Sequence, residues 1–243
     1  MSERTARIAL LIDADNSPAS KIDLILSEIA KYGSANIRRA YGNWKSANLS
    51  AWEKVLHEYA IRPIQQFDYS KGKNASDIAL IIDAMDLLYT QQIEAFCLVS
   101  SDSDFTPLVM RLRTSGAEVY GFGERKTPMP FVNACSRFIY LEGLSEPSTG
   151  DGTGVTTPEI KKSAKTLKGD TRLVQLLRNA VEAAAGDDGW SHLGAVGAQI
   201  ANQASFDPRN YGYKKLGELF EAIGLFDIRR DEKVWYVRDK RAG

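Results

Sequence analysis

The apolar positions of the first 145 residues follow two alternating rhythms. Residues 8–12 read IALLI, a short apolar run without polar alternation, which predicts a strand buried on both faces. Residues 17–32 follow with Ile22, Ile25, Leu26 and Ile29 at helical spacing. Further strands are predicted at 36–42, 61–67, 95–99, 118–122 and 138–141, with helices at 49–59, 75–89, 105–114 and 132–135 between them. This alternation implies right-handed βαβ units and an α/β fold with a three-layer, Rossmann-like parallel sheet.

The rhythm stops at Ser145. From there to Lys168 the chain is rich in Ser, Thr, Gly and Pro and has no apolar period, which is a linker signature. The chain is therefore divided into a domain at 1–145, a linker at 146–168 and a second domain at 169–243. In the second, 171–185 is an amphipathic helix behind Asp170 as N-cap. Helices at 192–203 and 213–223 follow, and strands at 226–229 and 233–238 flank Arg230-Asp231-Glu232. Three helices closed by a hairpin describe a winged-helix module.

Composition narrows the class. With 44% hydrophobic and 26% charged residues, wholesale disorder is excluded. No run approaches the ~18 apolar residues of a membrane span, and the N-terminus has no secretory apolar region, so a soluble cytoplasmic protein is expected. Cys97 and Cys135 are too few for a disulfide framework or a structural zinc site. The 31 basic residues balance 31 acidic ones, split 16 to 17 before Ser145 and 15 to 14 after it. No global field draws the chain to a polyanion, so any such attraction must be local.

The acids are placed to matter. In a parallel α/β sheet, ligands bind outside the carboxyl ends of the strands. Asp13 and Asp15 follow the first strand, Asp102 and Asp104 follow the fourth, and Asp77 opens the helix after the turn SKGKNAS. Like charges so gathered raise each other's pKa and need compensation. A hard divalent cation, Mg²⁺ or Mn²⁺, supplies it and can activate water at a phosphodiester. The plainer reading is that Asp after a strand caps the next helix. Asp15 alternates away from Asp13 towards solvent; Asp83 and Asp86 lie around the helix from Asp77 and read as structural or exposed, although Asp83 could also support the site from behind its ligands.

LLIDADN at 10–16, KGKNASDIALIIDAMDL at 71–87, VSSDSDFTPLVMRLRTSGAEVYGFGE at 99–124 and ACSRFIYLE at 134–142 together resemble the NYN domain, the LabA-like branch of the PIN-like nuclease superfamily. The resemblance implies a metal-dependent ribonuclease with Asp13, Asp77, Asp102 and Asp104 as Mg²⁺ or Mn²⁺ ligands. It implies that Asn16 positions substrate or water and that Ser101 lies beside the site. Where relatives carry an acid after Ala134-Cys135, this chain has Ser136. DDGWSHLGAVGAQI and FDPRNYGYKKLGELFEAIGLFDIRR resemble the OST-HTH, or LOTUS, winged-helix domain, whose members are associated with RNA and some with protein partners.

Arg209, Tyr211, Tyr213, Lys214 and Lys215 mix cations with stackable rings, which suits single-stranded RNA. The same tyrosines could equally pack a core. Lys71 and Lys73 could touch a substrate phosphate or form an ordinary basic turn. His57 and His192 have no nucleophile or metal partner in sequence, Trp44 and Trp52 read as packing residues, and Gly121-Phe122-Gly123 lacks the third glycine of a dinucleotide loop. Two functions are thus expected to compete: an endonucleolytic, metal-dependent ribonuclease with a C-terminal RNA-binding module, and a non-catalytic RNA- or protein-binding adaptor.

Overall fold

All six strands expected of the first domain form, and every pairing between them is parallel. They are β1 (Arg7–Asp13), β2 (Ser34–Gly42), β3 (Arg62–Gln65), β4 (Ala95–Val99), β5 (Glu118–Gly123) and β6 (Arg137–Tyr140). Between them run α1 (Ile22–Ile29), α2 (Ser50–Leu56), α3 (Ala75–Thr90), α4 (Thr106–Thr114) and α5 (Met129–Ala134). The structure, a computed structural model, describes residues 5–66, 74–144, 161–231 and 234–241. The chain separates into two units at 152/153.

The sheet order is β3-β2-β1-β4-β5-β6. The chain winds outward from β1 to β3 and then returns to the other side of β1, so a crevice opens between the carboxyl ends of β1 and β4. The IALLI run explains why β1 is central. Ile8, Leu10 and Ile12 pack with Ile22, Ile25 and Trp52 in one layer, while Ala9 and Leu11 pack with Leu80, Ala84 and Val109 in the other. Each fully buried Leu or Ile contributes roughly 1.5–3 kcal/mol. β4 alternates the same way, with Cys97 and Val99 in the first layer and Phe96 and Leu98 in the second. Asp83, on α3, accepts hydrogen bonds from Arg39 and Tyr41 of β2 and so pins the helix to the sheet. Gly121 serves packing: a Cβ there would lie 2.5 Å from the Phe138 ring.

The second unit contains α6 (Ala164–Gly169), α7 (Thr171–Ala183), α8 (Leu193–Gln203) and α9 (Leu216–Ile223). Strands β7 (Ser191–His192), β8 (Phe226–Asp231) and β9 (Val234–Asp239) form an antiparallel sheet of order β7-β9-β8. Asp170 caps α7 as expected, accepting from the Leu173 N–H at 3.0 Å. The linker reading of 146–168 does not extend to its last residues. Ser163 caps α6, and Leu167 is wholly buried among Leu173, Leu177 and Phe220. Composition missed this helix because one well-placed leucine suffices to anchor a single turn and a half. The helix expected from 213 starts instead at Leu216, because Gly212, with φ +85°, ends a 3-10 turn (Pro208–Tyr211) and redirects the backbone. Among the described residues no helix is long and apolar enough to cross a membrane.

Candidate active site

Asp13 is the last residue of β1 and is buried, with 1% of its surface exposed. Its Oδ2 accepts from the Asn16 side-chain amide at 3.0 Å and from the Ser100 hydroxyl at 2.8 Å. Its Oδ1 is also buried but accepts no hydrogen bond. Burial is the main cause that raises the Asp13 pKa, and nearby Asp15 adds to it against the two side-chain hydrogen bonds.

Ser100, buried directly after β4, joins two acids. While donating to Asp13, its oxygen accepts from the Asp102 N–H at 3.0 Å. Asp102 in turn accepts from the Asp104 N–H at 2.8 Å and caps the 3-10 turn (Ser103–Phe105) that opens α4. The capping role weighed against a functional one is therefore real for Asp102, but it occupies one carboxylate oxygen. Gly123, at the end of β5, allows close approach here: a Cβ would lie 2.6 Å from the Ser100 carbonyl oxygen. Ser101 accepts from the Glu124 N–H at 2.9 Å and fastens the same loop to the chain beyond β5. Across the crevice, Ser17 donates to the Val99 carbonyl at 3.1 Å, and the Trp52 indole donates to the Ser17 carbonyl at 2.9 Å.

Asp77 sits in the first turn of α3 and is half-buried. Its pKa is pushed up to about 6, first by burial and then by the charges of Asp13, Asp102, Asp15 and Asp104. Asp77, in the first turn of α3, thus feels the acids that follow β1 and β4. Asp15 belongs to this group electrostatically despite its exposure. Ser100 was not singled out from the sequence; its only signal is its position one residue past a strand, facing opposite to Val99. Ser136 lies at the other edge, where its hydroxyl accepts from the Val119 N–H at 3.1 Å.

The donor set is suited to a hard cation. It is all oxygen, and Asp13 Oδ1 is a buried carboxylate oxygen without a hydrogen-bond partner. Among the described residues, however, no three Asp, Glu, His or Cys side chains converge closely enough to enclose an ion by themselves.

The residues expected to touch RNA are distributed differently. Arg209 is bound to the buried Asp207, with its Nη2 2.7 Å from Oδ2. Tyr213 is buried and donates to the Lys162 carbonyl at 2.7 Å, and Tyr211 stacks on Phe206 at 5.8 Å. Lys214 and Lys215 are exposed. Lys71 and Lys73 lie outside the described residues.

A model of the NYN domain matches residues 7–142, more than half of the chain. The chain belongs to the NYN family. An OST-HTH/LOTUS domain model matches residues 165–234 behind it. The NYN domain is part of the PIN-like nuclease superfamily. The chain is 27% identical over 121 residues to the uncharacterized protein MJ0482 of Methanocaldococcus jannaschii, covering 48% of this chain and 47% of that one. It thus spans about half the length of that relative. A crystal structure of a protein of unknown function, VPA0982 from Vibrio parahaemolyticus, is 18% identical, covers 58% of this chain and 95% of that chain, and superposes with a TM-score of 0.46.

Proposed function

We propose that this NYN protein is a metal-dependent ribonuclease that cleaves single-stranded RNA endonucleolytically, its LOTUS domain binding the RNA. The observation that carries the reading is Asp13: a buried carboxylate with one oxygen unpartnered, coupled in charge to Asp77. Asp13, Asp77, Asp102 and Asp104 would hold Mg²⁺ or Mn²⁺. Bound there, the ion would activate water and stabilise the leaving oxygen of a phosphodiester. Since the acids among the described residues do not enclose an ion alone, water and the substrate phosphate would complete its shell, as is usual for Mg²⁺.

The chain's own residues do the positioning. Asn16 and Ser100 fix one oxygen of Asp13 and leave the other free to bind. Asn16, exposed beside Asp13, would help position the substrate or a water. Burial and the neighbouring acids push the Asp77 carboxyl up to about 6, and a cation bound beside it would favour its ionised form.

The test compares wild type with Asp102→Asn on a single-stranded RNA oligonucleotide in Mn²⁺. Removal of one carboxylate should slow cleavage on the order of a hundredfold or more. Equal rates overturn the assignment. A chain that neither cleaves RNA nor gains thermal stability in millimolar Mn²⁺ is a non-catalytic RNA- or protein-binding adaptor instead, since a bound ligand must stabilise the native state.

A further inference from the structure

The sheet of the second unit has one face in the core and one in solvent. Phe226, Ile228 and Val237 turn inward. Strand alternation then puts Arg229 of β8 and Tyr236 and Arg238 of β9 on the outer face, and the register sets Arg229 beside Tyr236 and Tyr236 beside His192 of β7. Trp190, just before β7, joins them.

These side chains are planar and lie against one another. The Arg229 guanidinium carbon is 4.8 Å from the ring centres of both Trp190 and Tyr236, and that of Arg238 is 4.8 Å from Trp190. His192 meets Tyr236 edge-on at 5.8 Å. Energetically significant cation–π pairs occur about once per 70–80 residues. Three on one small sheet face are more than packing requires, because this face has no core to close. A water-facing sheet usually carries short polar or singly charged side chains, not a tryptophan, a tyrosine and two arginines in contact.

From this layer we infer that the outer face of β7, β8 and β9 is a stacking platform for the unpaired bases of single-stranded RNA. The inference rests on the proposed reading of this domain as RNA-binding and says which surface does it. Rings and guanidinium planes stack on bases of any sequence, while guanidinium groups also meet phosphates. The acids nearby do not block this. Asp188 is 3.9 Å from Arg229 and Asp227 is 3.3 Å from Arg238, but both carboxylates are exposed, with 61% and 40% of their side-chain surface open to water. Such exposed pairs exchange readily for a phosphate. The 209–215 segment offers less, with Arg209 tied to Asp207 and Tyr213 buried.

The test uses the full chain in EDTA, so that binding is read without cleavage, with a fluorescent 20-nucleotide uridine RNA followed by anisotropy. Trp190→Leu and Arg229→Gln should each weaken binding on the order of tenfold, while Trp190→Phe stays within about threefold, as stacking on any ring predicts. Arg229 is half-exposed, so its substitution leaves the melting temperature unchanged and the loss cannot be laid to misfolding. A duplex RNA of equal length should bind more weakly, since its bases are not open to the platform. The platform is overturned if Trp190→Leu and Arg229→Gln bind as wild type, if Trp190→Phe fails as badly as Trp190→Leu, or if duplex binds as tightly as single strand. Loss confined to Lys215→Gln leaves the domain RNA-binding but rejects this face. A wild type that binds neither RNA rejects the RNA-binding reading and the platform together.

Discussion

The acid edge of the first unit and the outer sheet face of the second are opposite solutions to placing charge. At the edge, carboxylates of one sign are brought together and partly desolvated, and Asp77 is pushed up to about 6 as a result. On the sheet face, each guanidinium has a ring beneath it and a carboxylate beside it. The first arrangement is strained until something positive arrives. The second is satisfied as it stands, so any partner must exchange with contacts already made. A frustrated site favours tight, selective binding of a cation; a satisfied one favours weak, sequence-tolerant contact with a long ligand.

The contrast breaks most sharply at the acids, where Asp102→Asn should remove nearly all cleavage. Ser100→Ala comes next. It removes the hydroxyl that holds Asp13 and receives the Asp102 N–H, and should reduce cleavage on the order of tenfold with Mn²⁺ affinity weakened, as measured by metal titration of the rate. In the second unit, Gly217→Ala should destabilise through packing alone. The new Cβ would lie 2.6 Å from the Trp235 ring, an overpacking cost of about 1–3 kcal/mol offset by about 1 kcal/mol of helix propensity, so a net loss on the order of 1 kcal/mol is expected in urea titration.

The smallest effect concerns the strain itself. An acid whose pKa is raised on folding favours the native state while protonated, so its contribution is lost as pH rises from the ordinary carboxylate range through about 6. Metal-free wild type should therefore melt lower at pH 7 than at pH 5, and Asp77→Asn should flatten that difference, raising the pH 7 melting point by a few degrees, about 2–4 °C per kcal/mol for a chain of this size. Millimolar Mn²⁺ should restore wild type more at pH 7 than at pH 5, because the ion competes with the proton. An identical pH profile for wild type and Asp77→Asn would show that the edge stores no such strain.

The sequence carried the first unit well, because a parallel sheet buried on both faces writes itself as apolar runs, and the residue after each run is bound to lie at the carboxyl edge. Asp13 and Asp102 were placed by that rule alone. Ser100 was not, since a serine after a strand looks the same whether it bridges two acids or faces water. The second unit was harder. Arg209 to Lys215 are adjacent in sequence, but Gly212 turns the backbone and sends Tyr213 inward while Arg209 folds onto Asp207. Trp190, Arg229, Tyr236 and Arg238 are scattered along the chain, and only strand register assembles them. Linear clustering is a poor guide where an antiparallel sheet does the gathering.

The direct pairing of β1 with β4 has a consequence for the life of the chain. Asp13 and Ser100 are 87 residues apart yet hydrogen-bonded, so the edge cannot close until β4 has left the ribosome and docked beside a strand made much earlier. A nascent chain carrying only β1 to β3 holds Asp13 without its anchor. Synthesis itself thus imposes a delay before the acids of this edge can meet.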